Sequence, residues 1–249
     1  MKNSLLNHLQ FSTIMLDPQP SGKLGTGFIV STQHNGTERL FLVTNKHIVF
    51  QPAKLHLIVH KANEESGEVV EGCIALEPAK GSVWFKFDEE FLDIAILEVT
   101  KISANLPDGE KIYIQPIPIE KLATEEDYAK IGLLEDVYFF GYPLGIYDPN
   151  YGVPIARKAH LASDISKGFQ DKHLFYFDGS LTDGMSGCPI YYLKETASGT
   201  DFLLLGIGYA QAQNPYKLSK GIVYEEPIQL GMANKAYVIK ELINTYLSL

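Results

Sequence analysis

Cysteine is scarce in this sequence. Cys73 and Cys188 are the only two cysteines in 249 residues, whereas small secreted domains that depend on disulfides carry many more. We expect the two thiols to stay free rather than to join each other, because the pattern indicates a reducing compartment. The sequence therefore predicts a cytoplasmic protein.

Long apolar runs and basic charge are also missing. No stretch approaches the roughly 20 apolar residues that a membrane-spanning helix needs, and the first eight residues lack the apolar core of a signal peptide. The formal net charge is −9, whereas a surface that binds nucleic acid or an anionic membrane needs a basic patch. We therefore expect no signal peptide, no membrane contact and no nucleic-acid partner.

Motifs for cofactors and metals are absent as well. Gly25 and Gly27 stand close together, as in phosphate-binding loops, but the sequence G-x-x-x-x-G-K does not occur there and no helical pattern follows. His56 and His60 are four residues apart, as in the zinc motif H-E-x-x-H, but Leu57 stands where that motif has its glutamate. We expect no cofactor and no metal, and we interpret the two glycines as points of tight backbone packing.

Alternating apolar runs indicate a chain made largely of strands. Asn35-Gly36 between two such runs is a strong hairpin signal, because both residue types tolerate a positive φ angle. The run 83–87 alternates like a strand, and the acidic stretch 62–72 is interpreted as a solvated loop. From about residue 232 onward, apolar residues recur at helical spacing, which predicts a C-terminal helix over 232–248.

One stretch, residues 182–189 with the sequence TDGMSGCP, places a serine between two glycines. Glycine lacks Cβ, so the backbone can turn sharply there and aim its N–H groups at one point. A serine hydroxyl is a weak nucleophile that needs a base and donors for an oxyanion. Ser186 is therefore the candidate nucleophile, with the N–H groups of Gly184 and Ser186 as the candidate oxyanion hole. Alone, this pattern also fits an ordinary turn.

A histidine and an aspartate supply the missing partners. His47 follows a β-type run, and Asp93 opens another apolar run. The order histidine, aspartate, serine is the chymotrypsin order of the catalytic triad. The α/β-hydrolase order needs a histidine after the serine, but His173 is the last histidine in the chain. The subtilisin order needs an aspartate before His47, where only Asp17 is available.

With these three residues in place, the chain resembles the trypsin-like serine peptidases, especially the compact bacterial branch that includes the HtrA/DegP proteases. The resemblance covers roughly residues 11 to 230. The motifs that carry it occur in the family's order: GTGFIV at 25–30, TNKHIV at 44–49, DIAIL at 93–97, GYPLG at 141–145, GMSG at 184–187 and LGIG at 205–208.

The resemblance implies an all-β fold of two packed antiparallel six-stranded β-barrels, with the helix at the C-terminal end. The first barrel would span about 11–105 and the second about 126–230, and together they form one peptidase domain. The cleft would lie between them, with His47 and Asp93 from the first barrel and Ser186 from the second. No PDZ-like module is recognisable in the sequence, and in this respect it differs from the HtrA proteases.

The resemblance also implies a reaction, that of a serine endopeptidase acting on a protein or peptide. Ser186 attacks the peptide carbonyl, His47 carries the proton to the leaving amine, and Asp93 holds the His47 tautomer while an acyl-enzyme forms and breaks down. Met185 stands where secreted relatives have an aspartate that pairs with a new N-terminus, so activation by N-terminal processing is not expected. We interpret Cys188 as a small buried apolar residue rather than as the nucleophile.

Substrate specificity is predicted from the same resemblance. Ser180, six residues before Ser186, would lie at the base of the primary pocket. Gly208, Tyr209 and Ala210 would form one wall and pair with the substrate backbone as an added strand. Because Ser180 is uncharged, the pocket is predicted to take an apolar or small side chain rather than lysine or arginine.

Two other hypotheses remain open. The chain is alternatively a non-catalytic module that binds proteins or peptides on a peptidase scaffold, in which His47 caps a turn and Asp93 caps a strand. In the other hypothesis it is a peptidase that stays silent until a regulatory protein partner binds. Labelling by a fluorophosphonate probe, which requires an activated serine, separates the enzyme from the binding module.

Overall fold

Short β-strands dominate the fold, as the alternating apolar runs predict. The computed structural model describes residues 2–20, 24–50, 54–106, 109–170, 172–197, 199–217 and 223–249. The strands in these residues are β1 (Thr13–Gln19), β2 (Gly25–His34), β3 (Thr37–Thr44), β4 (Lys54–Ala62), β5 (Val69–Leu76), β6 (Ala95–Glu98), β7 (Lys111–Tyr113), β8 (Ile117–Pro118), β9 (Asp136–Gly141), β10 (Ile155–Leu161), β11 (Leu174–Asp178), β12 (Pro189–Thr196), β13 (Gly199–Lys217) and β14 (Val223–Lys235).

Helices are few and mostly short. The α-helices are α1 (Lys2–Leu9), α2 (Lys46–Val49), α3 (Glu125–Tyr128) and α4 (Ala236–Leu247). Single 3₁₀ turns lie at Gln10–Ser12, Ile102–Asn105, Ile119–Lys121 and Pro143–Gly145. None of the helices in the described residues is long and apolar enough to cross a membrane.

The first eight strands form the N-terminal sheet. Their order is β5-β4-β1-β2-β3-β6, with β7 added to β4 and β8 added in parallel to β2. The β2–β3 hairpin turns at Asn35 and Gly36, whose φ angles are 51° and 75°. The predicted hairpin is thus confirmed, and it leads the chain directly into α2, the helix that carries His47.

The last six strands close into the C-terminal barrel, in the order β10-β11-β14-β13-β12-β9. Its interior is filled by buried apolar side chains, including Phe139, Phe175 and Phe177, none of which is exposed to solvent. Together with the N-terminal sheet, this barrel confirms the predicted all-β fold of two antiparallel units followed by a helix.

The N-terminal sheet differs in detail from the barrel that the resemblance implies. Among its described strands, no ladder joins the two ends of the path, β5 and β6. The run 83–87, predicted as a strand, contributes one isolated bridge between Phe85 and Ile96. Phe85 and Phe87 pack instead against the apolar cluster between the two units. The alternation in this run therefore reflects side-chain packing rather than a strand ladder.

The stretch 62–72 also differs from its interpretation as a loop, since β4 ends at Ala62 and β5 begins at Val69. The side chains of β5 alternate between partly buried and exposed along most of the strand. Glu71, the one acidic residue of β5, lies on the solvent side of the strand. The acidic composition of the stretch indicates solvent exposure but does not reveal the ladder between β5 and β4.

The apolar cluster between the two units holds them together, and we call it the shared core. It contains Phe28 and Phe41 from the N-terminal sheet, Phe140 and Leu204 from the barrel, and Leu242 from α4. Burial of a large apolar side chain stabilises a fold by about 1.5–3 kcal/mol. Packing of apolar side chains in the shared core therefore fixes the relative position of the two units.

Helix α4 begins at Ala236 rather than near residue 232, because β14 continues as far as Lys235. The Ala236 N–H donates to the Tyr128 hydroxyl at 2.9 Å, and that hydroxyl donates to the Leu205 carbonyl at 2.7 Å. Tyr128 is fully buried, and burial raises the pKa of its hydroxyl. A residue distant in sequence thus sets the start of the helix.

Candidate active site

His47 is held at the surface by the one-turn helix α2. Its neighbours Ile48 and Val49 are buried and anchor the turn, whereas the His47 side chain is 48% exposed. The residue before the helix, Asn45, is buried and reaches across to the segment that precedes β6. The imidazole therefore projects into solvent from a fixed backbone.

Asp93 lies directly beside this histidine, two residues before β6. Its Oδ2 is 2.5 Å from His47 Nδ1, and its Oδ1 accepts the His47 backbone N–H at 3.2 Å. Both carboxylate oxygens thus contact one residue. This geometry orients the imidazole through its Nδ1, and its Nε2 has no hydrogen-bond partner among the described residues.

The backbone of Asp93 is clamped from both units. Its carbonyl accepts from Asn45 Nδ2 at 2.6 Å, within the N-terminal sheet. Its N–H donates to Asn234 Oδ1 at 3.1 Å, and Asn234 Nδ2 donates to the Phe91 carbonyl at 3.1 Å. Asn234 is fully buried on β14 of the barrel. A side chain from the second unit therefore positions the aspartate of the first.

The serine loop, residues 182–187, depends on its two glycines. Gly184 and Gly187 have φ angles of 88° and 89°, where side chains are strongly disfavoured. A Cβ on Gly184 would lie 2.1 Å from the Tyr142 carbonyl oxygen, and one on Gly187 would lie 1.8 Å from the Thr26 carbonyl oxygen. Both positions therefore require glycine on steric grounds. This agrees with the sharp backbone turn that the two glycines predict in the sequence.

The N–H groups of Gly184 and Ser186 have no acceptor among the described residues, and neither do those of Thr182 and Asp183 at the start of the serine loop. The other two N–H groups of the loop are used: the Met185 N–H donates to the Thr182 carbonyl at 3.0 Å and the Gly187 N–H to the Gly208 carbonyl at 2.8 Å. The two donors that the sequence suggests for an oxyanion hole are thus available to a ligand. An unpaired N–H in a partly buried loop is costly unless something accepts from it.

Thr26 connects the serine loop to the N-terminal sheet. Its N–H donates to the Ser186 carbonyl at 2.8 Å, and its hydroxyl donates to the Gly184 carbonyl at 2.6 Å. The Thr44 hydroxyl in turn donates to the Thr26 carbonyl at 2.7 Å. Gly25 and Gly27 allow this approach, since a Cβ on either would lie within 2.7 Å of an apolar side chain. Their interpretation as points of tight packing is confirmed.

The hydroxyl of Ser186 has one contact among the described residues, and it is not to His47. Its Oγ donates to the Tyr209 carbonyl at 3.5 Å, and in the described residues no hydrogen bond joins it to the imidazole. A contact of 3.5 Å is long for a hydroxyl donor and correspondingly weak. The structure thus joins His47 with Asp93 directly, whereas the Ser186 hydroxyl is bonded to the Tyr209 carbonyl and not to the imidazole.

The predicted pocket residues gather beside Ser186. Ser180 Oγ donates to Gln211 Oε1 at 2.9 Å, and the Ser180 carbonyl accepts from Arg157 Nη1 at 2.6 Å. A register shift in the β13–β14 ladder between Gly208 and Ala210 leaves Tyr209 out of the ladder. The Tyr209 carbonyl thereby becomes free to accept from Ser186.

His60 lies in the core with both ring nitrogens near carbonyl oxygens. The ring is fully buried, with Nδ1 2.9 Å from the Tyr151 carbonyl and Nε2 3.1 Å from the Thr13 carbonyl, while its edge meets the Phe11 ring. Both nitrogens thus face oxygen acceptors. Burial lowers the pKa of His60 although the two carbonyls act in the opposite direction. Within the described residues, no three potential metal ligands come together.

A family model for the trypsin-like peptidase domain matches residues 25–199. The match spans more than half of the chain and includes His47, Asp93 and Ser186. The chain belongs to the trypsin-like peptidase family. No curated protein sequence matches it significantly.

Solved structures share the fold at low sequence identity. The inactive form of a serine-to-alanine mutant of Rv3671c from M. tuberculosis is 15% identical, with a TM-score of 0.53, over 98% of this chain and 90% of that one. The scabies mite inactivated protease paralogue S-I1 is 14% identical, with a TM-score of 0.56, over 97% and 96%. Deg5 is 14% identical, with a TM-score of 0.52, over 91% and 88%. These likenesses show a trypsin-like fold, and two of the three neighbours are an inactive mutant form and an inactivated paralogue.

Several residues of this trypsin-like site are not visible from the sequence alone. Asn234 reaches Asp93 from 141 residues away, and neither Arg157 nor Gln211 belongs to a recognisable motif. One signal for Arg157 exists, since it falls on the apolar side of the alternating run 155–161.

Cys188 lies as expected: it is fully buried, and burial raises the pKa of its thiol to about 12, which disfavours the reactive thiolate.

Proposed function

We propose that this trypsin-like protein is a serine endopeptidase that cleaves proteins or peptides through an acyl-enzyme. The observation that carries the proposal is the pairing of His47 with both oxygens of Asp93, across from a glycine-shaped serine loop. A histidine that only caps a turn has no need of a carboxylate on its ring nitrogen. The same arrangement leaves Nε2 as the one ring nitrogen able to accept a proton.

In the proposed reaction, Ser186 Oγ first turns from the Tyr209 carbonyl toward His47. The movement gives up only the long 3.5 Å contact, since Oγ has no other hydrogen bond among the described residues. Hydrogen bonds of a catalytic site are often loose before substrate binds and tighten afterwards. The resting orientation of the serine is therefore compatible with an active enzyme.

The chemical steps then follow the triad mechanism. Oγ forms a bond to the substrate carbonyl carbon while its proton passes to His47 Nε2, and the oxyanion accepts from the N–H groups of Gly184 and Ser186. The C–N bond breaks as His47 gives the proton to the leaving amine. A water molecule, deprotonated by the same imidazole, hydrolyses the acyl-enzyme and restores Ser186. Asp93 stabilises the imidazolium throughout.

A substrate strand is proposed to bind along Gly208–Ala210. The register shift there removes Tyr209 from the β13–β14 ladder, which exposes backbone groups next to the serine. Pairing with an extended peptide supplies affinity that does not depend on sequence. Side-chain selection is left to the residues around Ser180.

The test of this function is covalent labelling of the purified protein by a fluorophosphonate, read by intact mass. We expect one adduct on the wild type, and none on Ser186→Ala or His47→Ala. The matched control is Ser166→Ala, which removes an exposed hydroxyl bonded only to nearby Asp164 and should label normally. A folded wild-type protein that takes up no probe would contradict the proposal.

The orientation of Ser186 gives one specific reason to keep a second function in view. If the hydroxyl stays on the Tyr209 carbonyl in solution, the scaffold is a protein- or peptide-binding module, or a peptidase that needs a regulatory partner to turn the serine. Labelling that appears only after a cell extract is added would favour the partner.

Both cysteines are free, and Cys188 is buried, which supports a cytoplasmic location for the proposed enzyme.

A further inference from the structure

Arg157 is an arginine on the inner face of the C-terminal barrel. Strand β10 alternates, so that Arg157 shares its side with buried Ala159 and Leu161, whereas Lys158 and His160 point outward and contact Asp136. The guanidinium carbon lies 5.4 Å from the centre of the fully buried Phe139 ring. A charged group thus occupies a position that the strand pattern otherwise reserves for apolar side chains.

This guanidinium has no acidic partner among the described residues. Its one hydrogen bond there is from Nη1 to the Ser180 carbonyl at 2.6 Å. Arg39, the other arginine of the chain, instead forms an ion pair with Glu98 at 2.8 Å. A guanidinium has five N–H donors, and partial burial without a counter-ion is unfavourable. Arg157 therefore holds an unbalanced charge and unused donors.

The position of this charge connects it to the proposed cleavage site. Ser180, whose carbonyl Arg157 contacts, donates through Oγ to Gln211 at 2.9 Å. Gln211 is two residues beyond Tyr209, whose carbonyl accepts from Ser186. The Gln211 Nε2 group has no acceptor among the described residues. Arg157 and Gln211 thus offer a cation and an amide donor on the side of the cleft where the pocket is expected.

We propose that Arg157 is a specificity-determining residue that selects substrates with glutamate or aspartate immediately before the cleaved bond. The inference rests on the peptidase function proposed above and adds its substrate class. A carboxylate matches the planar fork of a guanidinium and supplies the missing counter-charge. Gln211 Nε2 adds a neutral donor to the same carboxylate. It is an alternative to the apolar or small side chain predicted from uncharged Ser180.

The test compares cleavage of fluorogenic peptides that differ only in glutamate, glutamine or leucine before the scissile bond, with mixed residues at the flanking positions. For the wild type we expect kcat/KM to be about 10- to 100-fold higher for glutamate than for glutamine, the range of a charge-assisted hydrogen bond. Arg157→Gln should lose this ratio, and Arg157→Lys should keep part of it, which shows that the pocket is still folded.

The matched control is Lys158→Gln, which removes the neighbouring positive charge from the outer face of the same strand. It should preserve the glutamate preference, because Lys158 does not face the cleft. Equal cleavage of the glutamate and glutamine peptides by the wild type, or a leucine preference that Arg157→Gln leaves unchanged, would overturn the proposal and indicate that Arg157 only supports the Ser180 segment.

A binding measurement separates this inference from the peptidase function. Acetylated tetrapeptides that end in glutamate or glutamine are titrated by calorimetry into Ser186→Ala and into the double variant with Arg157→Gln. We expect the glutamate peptide to bind at least about tenfold more tightly, and only when Arg157 is present. If the wild type takes up fluorophosphonate but shows no such preference, the inference alone fails. If the preference appears without labelling, the pocket is right and the peptidase function is wrong.

Discussion

The two units contribute to the candidate site in different ways. The N-terminal sheet supplies side chains, His47 and Asp93, which contact each other at the surface. The C-terminal barrel supplies a backbone shape, in which Gly184 and Gly187 hold a loop against carbonyl oxygens of neighbouring segments. In the proposed mechanism, proton transfer therefore depends on residue chemistry, whereas oxyanion binding depends on the absence of side chains at the two glycines. Substitutions in the two units should therefore fail differently.

The largest effect is expected from Asp93→Asn in the N-terminal sheet. An amide can donate to His47 Nδ1 and so favours the wrong tautomer, which costs on the order of 10⁴ in rate in enzymes that use this triad. The melting temperature should change little, because the backbone clamps to Asn45 and Asn234 remain. The measurement is kcat/KM beside a thermal melt, with exposed Asp88→Asn as the control. A nearly normal rate would remove Asp93 from the mechanism.

A smaller loss of rate, with a larger loss of stability, is expected from Gly184→Ala in the barrel. The new Cβ would lie 2.1 Å from the Tyr142 carbonyl oxygen, so the loop must shift and carry its N–H donors away. Loss of one oxyanion donor lowers kcat by about 10²- to 10³-fold. Gly132→Ala, with open space around its Cβ and no positive φ, is the matched control. A variant that keeps full activity would rule out an oxyanion hole at this loop.

Thr26→Val tests the contact between the two units. It removes the hydroxyl that donates to the Gly184 carbonyl, while its shape changes little. We expect about 2–3 kcal/mol less free energy of unfolding, because the hydroxyl also accepts from the Tyr142 N–H at 3.3 Å and its loss leaves both buried partners unpaired. We also expect a loss of kcat of about tenfold or less. Thr26→Ser should restore both, and Thr32→Val on the same strand should have little effect. Unchanged unfolding in urea would show that the hydroxyl contributes nothing.

The smallest effect concerns His60 and pH. Because burial lowers the pKa of His60 in the folded protein, the unfolded chain binds more protons as the pH falls through the ordinary histidine range near 6.5. His60 should therefore make the protein less stable at pH 5 than at pH 7. In melts across this range, His60→Gln should show a shallower decline than the wild type, and His34→Gln should not. Identical slopes would mean that the two carbonyls keep His60 readily protonated.

Local features of the site were accessible from the sequence, and distant contacts were not. The Asn35-Gly36 hairpin and the steric need for Gly184 and Gly187 follow from conformational rules that act within a few residues. Asn234 and Arg157 act on residues that the fold brings near from other strands. No short sequence motif identifies these contacts. The alternation of a strand shows that a polar residue is on the buried side, but it does not show which distant residue that side chain contacts.

The extent of the first unit shows the same limit. Phe85 and Phe87 alternate as strand residues do, yet they pack into the shared core. Periodicity reports which side chains are buried and not which backbone groups are paired. The orientation of the Ser186 hydroxyl is likewise outside what any residue pattern predicts.

The shared core has a consequence for how the protein is made. Helix α4 follows every strand in chain order, and Leu242 and Ile243 from this helix fill the core that both units line. During synthesis, both units therefore emerge from the ribosome before the residues that cover their facing apolar surfaces. The contacts of Thr26 with the serine loop and of Asn234 with Asp93 come from earlier residues, but the shared core behind them is complete only when α4 docks. We expect a nascent chain that stops before Ala236 to label with no fluorophosphonate, so that the proposed peptidase stays inert until its translation reaches the last helix.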